Sequence, residues 1–594
     1  MYSSYNAKRI HHHLSRGILL PFLLGGILLT GLVGQASSQG RSRRQPAARP
    51  ATASLAPLEA AVRARPQDPA AHHALGLARL RAGQIPAALE SLQQALTLDP
   101  RRVETLVALA EVREQLGDLS AAREAYVRAI DLRPKDADLH MALATLLYRM
   151  QLLEAAASEF RYAATLRPEA AEIRTNLGFV LGQLGDLAGS TREFEEATRI
   201  QPDLAAAHYY LGLGRMSAND LETAIPALRR AAQLKPDEVD HQTNLGLALL
   251  RRAGKPDIAE AVLALRRAVQ LKPDIPEILT TYGIALRESG QLEAAASVLQ
   301  KALRRKPDLI EAHNNLGLVL LQQKQYEPAL ARFEEALRID PDHHAARVNL
   351  GLALTQQGAI ARAVEIYEAM LQAEPESIEA HYNLALALRR IDERDRALAL
   401  LEKCHQLQPG FADAYFTRGE ILYQQANLDP AKAALEAAIE RRPKDPEYRY
   451  VLGNILQRQG AFVPAIEQYR LAIELSPESH EIHNSLANAL RQTGDLEGAR
   501  AALQEATRLL RRKQDQEAAA TAIIVGRQRL QEGQLSEATA QLEKATQLAP
   551  QMAEGWFYLS QALRRRGQVA AAKKMLSTAL SLDPTIEERL RELP

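Results

Sequence analysis

After residue 54, apolar and polar residues follow one pattern along almost the whole chain. Apolar side chains recur at i, i+3, i+4 and i+7 within short stretches, which is the spacing that places them on one face of an α-helix. Turn signals such as Ala-Gly-Gln at residues 82–84 and Gln-Gly-Ala at residues 357–359 separate one stretch from the next, and glycine commonly ends a helix. The pattern predicts pairs of short amphipathic helices joined by tight turns.

A proline marks the end of each helix pair and returns at an almost constant interval. The step from Pro100 to Pro134 is the common one; longer steps end at Pro273 and at Pro550, and the second of these passes over a helix pair that lacks its proline. Proline ends the helix before it and is tolerated where the next helix begins. The marker prolines are Pro100, Pro134, Pro168, Pro202, Pro236, Pro273, Pro307, Pro341, Pro375, Pro409, Pro443, Pro477, Pro550 and Pro584.

Small residues recur in the same register, in which position 1 is the first residue of each helix pair. Position 8 is glycine, alanine or serine in every pair, and position 20 is alanine or serine. Position 27 carries alanine in most pairs. Small side chains let neighbouring helices approach closely, and one helix pair cannot bury its apolar face alone. The pairs must therefore stack on one another to form a continuous core.

A period of about 34 residues, with small residues at positions 8, 20 and 27 and proline at position 32, resembles the tetratricopeptide repeat. Fifteen such repeats follow one another here. The resemblance implies an all-α fold, a right-handed superhelical solenoid of antiparallel helix pairs. The repeats start at Pro69, Val103, Ala137, Ala171, Ala205, Val239, Pro276, Ile310, His344, Ile378, Ala412, Pro446, His480, Ala519 and Ala553.

Two repeats depart from the period. In the sixth, three extra residues near Gly254-Lys255-Pro256 are expected to lengthen the turn between its helices. In the thirteenth, Arg511 stands where proline is expected, and extra residues follow it up to Glu517. Without a proline the second helix of this repeat can continue as one long helix, so the sequence predicts a change in the superhelical path near residues 508–518.

The register divides the repeat region into segments with distinct roles. A single leading helix is expected before the first repeat, and a short polar cap is expected after the last. The expected segments are a leading helix at 55–68, repeats 1–13 at 69–518 with the insertion near 254–256, repeats 14 and 15 at 519–586, and the cap at 587–594.

The N-terminal segment has the layout of a secretory signal. Residues 17–34 form an uncharged, mostly apolar run that follows three basic residues and precedes small ones, as signal peptides do. The run is slightly shorter than the ~20 residues that span a bilayer, so residues 1–34 are either a signal peptide or an N-terminal membrane anchor. Residues 35–54 are expected to be a disordered basic tether. We expect an exported, periplasmic or inner-membrane-anchored protein, with the cytoplasmic face of the membrane as the alternative.

The formal net charge of +1 hides an asymmetry along the chain. Residues 1–54 hold seven basic residues and no acidic one. Removing these seven from the 73 basic residues leaves 66 against 72 acidic residues, a net charge of −6 after Ser54. A mildly acidic repeat region offers no electrostatic basis for nucleic-acid binding. No nucleic-acid partner is therefore expected.

The sequence contains none of the common catalytic motifs that were considered. The sequence has no Gly-rich phosphate-binding loop ending in Lys-Ser or Lys-Thr, no His-Glu-x-x-His zinc motif and no Gly-x-Ser-x-Gly elbow. The one cysteine, Cys404, lies at position 27 and is expected to be a small core residue rather than a nucleophile. The chain is therefore expected to be non-enzymatic, without a cofactor or a metal.

The candidate binding residues lie on the first helix of each repeat, which in the family that the repeats resemble lines the concave face. Position 6 is asparagine in five repeats, similar to the asparagine ladder in the tetratricopeptide arm of O-GlcNAc transferases. A row of amides, each both donor and acceptor, can hold the backbone of an extended peptide; the alternative is that they are tolerated polar positions. Position 5 adds aromatic anchors. The candidates are Asn176, Asn244, Asn315, Asn349, Asn383, Tyr209, Tyr382, Phe416 and Tyr450.

These features together predict a non-enzymatic scaffold. We expect it to bind extended segments of other proteins or peptides on its concave face, for the assembly or transport of envelope components. It would meet the membrane through residues 1–34 if that segment is uncleaved. One alternative is the targeting arm of a glycosyltransferase complex whose catalytic chain is separate, and a second is a structural spacer.

Overall fold

The computed structural model describes residues 55–583 and Ile586. Over these residues the regular elements are thirty α-helices, connected by short turns. The predicted signal or anchor segment, the basic tether and the C-terminal cap lie outside the described residues.

The helices follow one another along the chain in pairs of similar length. Their bounds are α1 Leu55–Ala64, α2 Pro69–Arg81, α3 Ile85–Leu98, α4 Val103–Gln115, α5 Leu119–Leu132, α6 Ala137–Arg149, α7 Leu153–Leu166, α8 Ala171–Gln183, α9 Leu187–Ile200, α10 Ala205–Ser217, α11 Leu221–Leu234, α12 Val239–Arg252, α13 Lys255–Leu271, α14 Pro276–Glu288, α15 Leu292–Arg305, α16 Ile310–Gln322, α17 Tyr326–Ile339, α18 His344–Gln357, α19 Ile360–Ala373, α20 Ile378–Arg390, α21 Arg394–Leu407, α22 Ala412–Gln424, α23 Leu428–Arg441, α24 Pro446–Arg458, α25 Phe462–Leu475, α26 His480–Gln492, α27 Leu496–Gln531, α28 Leu535–Leu548, α29 Ala553–Arg565 and α30 Val569–Leu582. Most first helices of a pair are as long as α2, and most second helices are as long as α3, which is one residue longer.

Each repeat is a pair of these helices, and the even-numbered helices from α2 to α26 are the first helices. They begin at the residues predicted as repeat starts. Ala519 is the exception, because it lies inside α27. Several helices begin with an aspartate whose side chain accepts a backbone N–H of the first turn; Asp186, for example, accepts from Gly189 at 2.8 Å. Such caps satisfy donors that have no partner within the helix.

The turn between the two helices of a repeat reverses the chain through a left-handed residue at position 15. Nine repeats place glycine there, with φ between 72° and 99°. The other six place a non-glycine residue in the same conformation, including Asn219 and Ala426. Glycine adopts this conformation without steric cost, which explains why the turn signals of the sequence contain it so often.

The two helices of a repeat lie very close together where position 8 faces position 24. A Cβ atom built on Gly317 would lie 2.5 Å from the ring of Phe333, and one on Gly453 would lie 2.5 Å from the ring of Tyr469. Position 20 is buried in every repeat, as at Ala88 and Ala431. The small residues of the register are therefore the points where helix backbones and large side chains meet.

The extra residues of the sixth repeat do not lengthen its turn, so that prediction is wrong. Ala253 takes the left-handed conformation, and only Ala253 and Gly254 separate α12 from α13. Pro256 lies in the first turn of α13, where proline needs no intrahelical donor. Asp257 accepts from the Gly254 N–H at 3.2 Å and pairs with Arg252. The insertion therefore extends α13 to 17 residues.

The missing proline of the thirteenth repeat has the predicted effect. Helix α27 runs without interruption for 36 residues, so the second helix of repeat 13 and the first helix of repeat 14 are one helix. Arg511, which stands in the place of the marker proline, lies near its middle. The prediction of one continuous helix is confirmed.

The described residues form two compact units, which meet in sequence between Ala353 and Leu354. Within each unit, the helices away from this boundary pack against the helices before and after them. The fully buried side chains of the first unit include Phe160 and Phe333, and those of the second include Tyr367, Tyr448 and Tyr469. In each unit the core is thus a line of contacts along the stack rather than one central cluster.

Two glycines of α10 test the close approach of the helices. A Cβ atom on Gly212 would lie 2.5 Å from Cγ of Leu228 and 3.1 Å from its backbone nitrogen. We expect Gly212→Ala to lower the free energy of local opening by about 1–3 kcal/mol, because the paired helices must separate. Hydrogen exchange of the α10 and α11 amides measures this energy.

The matched control is Gly214→Ala on the same helix, where the nearest atom is Oγ1 of Thr191 at 3.7 Å. This alanine meets only ordinary contacts and replaces a glycine inside a helix, so we expect a gain of about 1 kcal/mol. Equal effects of the two substitutions would contradict the assignment of position 8 as the contact that sets the helix spacing.

Candidate functional site

The candidate site is the first-helix face, meaning the residues at positions 2, 5, 6, 9, 12 and 13 of the first helices. Across this face, position 5 of one repeat meets position 6 of the next. Asn244 donates from Nδ2 to the hydroxyl of Tyr209 at 3.0 Å. Asn349 donates from Nδ2 to Oδ1 of Asn314 at 2.8 Å. Side-chain hydrogen bonds on this face thus connect neighbouring repeats.

The five asparagines at position 6 do not share one environment. Asn315 and Asn349 are each 1% exposed, and Asn315 donates to the backbone carbonyl four residues earlier at 2.7 Å. Asn244 is partly exposed and bonds to Tyr209. Asn176 and Asn383 keep 9% and 8% of their surface exposed, and their amides make no hydrogen bond within the described residues. Two of the five amides therefore bond to a neighbouring repeat, one bonds within its own helix, and two, although largely buried, make no hydrogen bond within the described residues.

Two of the four aromatic candidates are buried between helices. The ring centroid of Tyr209 lies 4.7 Å from that of His241, and burial raises the pKa of the Tyr209 hydroxyl. The ring of Phe416 stacks on that of Tyr448 at 4.8 Å. Both side chains stabilise the contact between neighbouring repeats.

The other two aromatic candidates are partly exposed. The hydroxyl of Tyr382 lies 3.2 Å from the hydroxyl of Thr417 on the next first helix, and its ring meets the edge of Phe411 at 4.9 Å. The ring of Tyr450 lies 6.1 Å from that of Tyr469. Part of each side chain remains available to a partner on the first-helix face.

A recurrent hydrogen bond that was not predicted ties a repeat to the one before it. The side chain at position 4 donates to the carbonyl of the proline six residues earlier, as His313 does to Pro307 at 2.8 Å and Trp556 to Pro550 at 2.7 Å. This carbonyl follows the end of a helix, where backbone acceptors lack an intrahelical partner. The signal in the sequence was a donor side chain at a fixed distance from the marker proline. The same bond is made by His72, His140, Arg174, His208, Gln242, Arg449 and His483.

Ion pairs between positions 2 and 31 join the start and the end of several repeats. Asp138 accepts two bonds from Arg167, both at 2.8 Å, on the exposed surface. Asp413 accepts two bonds from Arg442 at 3.0 and 2.9 Å, but its carboxylate is buried and also accepts from the Tyr448 hydroxyl at 2.8 Å. Through the bond from Tyr448, the buried Asp413 carboxylate connects the eleventh repeat to the twelfth.

The side chains considered for nucleophilic or metal chemistry are Cys404 and groups of His, Cys, Asp and Glu. Cys404 is buried in the core at position 27, as predicted, and burial raises the pKa of its thiol to about 12. Nucleophilic cysteines need a thiolate, so this thiol is inert at neutral pH. Among residues 55–583 and Ile586, no cluster of three or more His, Cys, Asp or Glu side chains has the arrangement of a metal site.

The predicted membrane segment falls outside the described residues. Within the described part of the chain, no helix combines the length and the apolar character needed to cross a membrane.

Comparison with protein families matches models of the tetratricopeptide repeat along most of the chain. One model matches residues 79–146, 392–455 and 529–593, a second matches 48–103, 175–238, 211–276, 314–378 and 464–519, and a third matches 274–342. The chain belongs to the tetratricopeptide repeat family. Its fold is accordingly an all-α solenoid of stacked helix pairs.

Membership in this family defines the class of protein. Tetratricopeptide repeats mediate contacts between proteins, so the chain is a protein-binding scaffold and its partners are proteins. Members of the family are generally non-catalytic.

Three solved structures that are similar to this chain serve as examples. The Cut9–Hcn1 hetero-tetramer of the APC/C is 15% identical, with 81% of this chain and 94% of that chain covered and a TM-score of 0.36. Yeast Tom70 is 15% identical, with 83% and 99% covered and a TM-score of 0.38. MamA is 24% identical, with 28% and 96% covered and a TM-score of 0.27. No curated protein sequence matches the chain.

Burial of the Asp413 carboxylate generates a prediction. Asp413→Ala leaves the buried Tyr448 hydroxyl without this acceptor, so we expect it to destabilise the eleventh and twelfth repeats by about 1–3 kcal/mol. Hydrogen exchange of the α22 and α24 amides measures the loss.

The matched control is Asp138→Ala, which removes the same type of pair at the same repeat position. The side chain of Asp138 is 60% exposed, and exposed pairs contribute at most about 1 kcal/mol. Losses of equal size at the two positions would show that burial does not govern the strength of these pairs.

Proposed function

We propose that this scaffold holds extended polypeptide segments along its first-helix face. One observation carries the proposal. The side-chain amides of Asn176 and Asn383 make no hydrogen bond within the described residues. A free amide offers two donors and one acceptor, which complement the N–H and C=O groups of an extended backbone. Binding of this kind depends little on the partner's side chains.

An apolar contact accompanies one of these amides. Tyr382 precedes Asn383 on α20, and part of its side chain remains exposed. Tyrosine is enriched at binding sites because it offers a large apolar area together with a hydroxyl. We therefore place the principal contact of the second compact unit at Tyr382 and Asn383, and that of the first at Asn176.

The proposal includes a location and a role. The basic residues and apolar run of residues 1–34 favour an exported or membrane-anchored chain. A scaffold at that location would hold segments of envelope components during assembly or transport. The support for this part is the sequence of the N-terminal segment.

Binding is tested with a short, uncharged, unfolded peptide labelled with a fluorophore, titrated with the full chain and followed by fluorescence anisotropy. We expect the double substitution Asn176→Ala and Asn383→Ala to weaken binding by about 3- to 10-fold, since each lost hydrogen bond is worth about 1 kcal/mol. The thermal unfolding of the variant should match that of the unsubstituted chain, because neither amide bonds within the described residues.

The matched control replaces two exposed amides of a second helix, Gln93→Ala and Gln94→Ala, and should leave binding unchanged. Equal affinities of all three proteins would place the binding surface away from these asparagines. No binding by the unsubstituted chain would reject the proposal and favour a spacer.

The location is tested by expressing the full chain in a bacterial host and identifying its N-terminal peptide by mass spectrometry. We expect either a chain shortened to the small residues after Gly34, or an intact chain that sediments with membranes. An intact chain in the soluble cytosolic fraction would contradict both forms of the proposal.

A further inference from the structure

The first-helix face of the last three repeats differs from that of the repeats before them. It is carried by α26, the second half of α27 and α29. Asn484 and Asn488 are exposed there. Ile524, at position 6, is 62% exposed, whereas Asn315 and Asn349 are buried at the same position. Ile524 therefore adds apolar surface to this face, which the buried asparagines at the same position of repeats 8 and 9 do not.

Three arginines lie on the same face and have no counterion within the described residues. Arg491 and Arg564 lie at position 12, and Arg527 lies at position 9; all three are exposed. None of them makes a side-chain hydrogen bond or an ion pair within the described residues.

Arginines on the same face of earlier repeats are paired in some repeats and unpaired in others. Arg149 pairs with Glu114 of the preceding repeat, and Arg389 pairs with Glu420 of the following repeat at 2.7 Å, whereas Arg81 and Arg390 are exposed. Among the described residues, the last repeats are the ones that place three arginines without an ion pair on successive first helices.

The acidic residues on the first-helix face of the last repeats lie apart from these arginines. Glu481 and Glu554 are at position 2, and with a rise of about 1.5 Å per residue they lie roughly 15 Å along the helix axis from position 12. Asp495, which follows Arg491 in the turn, accepts the N–H of Gly498 at 2.8 Å as a helix cap. Positive charge therefore dominates the half of the face nearest the turns.

We infer that the first-helix face of repeats 13–15 binds an acidic, extended polypeptide segment. This inference rests on the proposed function and names a class of partner for it. Carboxylates of the segment would pair with Arg491, Arg527 and Arg564, because guanidinium groups match carboxylates in geometry and charge. An apolar side chain of the segment would cover Ile524, and Asn484 and Asn488 would bond to its backbone.

Charge complementarity favours an acidic peptide over a larger polyanion. The chain after Ser54 has a net charge of −6, which repels a nucleic acid or an anionic membrane over a broad area. A short peptide responds mainly to charges within a Debye length, about 8 Å at physiological ionic strength. The basic N-terminal residues of this chain carry the same sign as the arginines and are not the occupant.

The test uses two labelled peptides that differ only in charge, one alternating Glu with Ser and one alternating Gln with Ser, each with a central leucine. Fluorescence anisotropy measures their binding to the full chain at low and high salt. We expect the Glu peptide to bind more tightly, and salt to weaken it. Substituting Arg491→Gln, Arg527→Gln and Arg564→Gln together should weaken it about tenfold, since each partly exposed pair contributes about 0.5 kcal/mol.

The matched control is the triple substitution Arg128→Gln, Arg161→Gln and Arg192→Gln. These arginines are exposed on second helices and have no ion pair within the described residues, so the control changes the net charge equally. It should retain the affinity of the unsubstituted chain. Circular dichroism verifies that both variants remain helical.

Four outcomes would overturn the inference. Equal binding of the Glu and Gln peptides, or equal loss in both triple variants, would show that this face does not recognise acidity. Absence of binding by the Glu peptide would exclude the segment itself. Tighter, arginine-dependent binding of a single-stranded oligonucleotide or of phosphatidylglycerol vesicles would assign the face to another class of partner. The proposed function is judged separately, from the uncharged peptide and the substitutions at Asn176 and Asn383.

Discussion

Every repeat depends on the close approach of its two helices where position 8 faces position 24. At Gly212 the backbone of the first helix is so near Leu228 of the second that an added Cβ atom would lie 2.5 Å from Cγ. This approach fixes the spacing of the pair and leaves too little apolar volume between the helices for a separate core. The remaining apolar surface faces outward, so each repeat needs the repeats on either side to bury it.

That requirement determines which side chains remain available for binding. Side chains at positions 2, 4, 5 and 6 connect neighbouring repeats, as the bonds of Asp413, His313 and Asn349 illustrate. A polar group that bonds to the next repeat is not available to a partner. The binding surface that we propose consists of the groups left over, which are the amides of Asn176 and Asn383 and, in the last three repeats, arginines without an ion pair within the described residues.

The two irregular repeats show why one departure was predicted correctly and the other was not. Losing the proline at Arg511 removes a barrier to helix propagation, and no other residue nearby stops the helix. The insertion near Pro256 was assigned to a turn because proline and glycine favour turns. Proline is equally compatible with the first turn of a helix, and Ala253 supplied the left-handed residue without being glycine. Local preference did not distinguish these two possibilities.

The sequence by itself determined the repeat, its boundaries and the class of protein, because helix periodicity, helix ends and small-residue positions are local properties repeated many times. It also identified Cys404 as a core residue from its register alone. Only the tertiary structure decided which asparagines are free. Asn176, Asn349 and Asn383 share one repeat position, but only Asn349 has a side chain of the neighbouring repeat, Asn314, within hydrogen-bond distance among the described residues. A repeat register describes what each repeat contains, whereas exposure and pairing depend on the residues that stack against it.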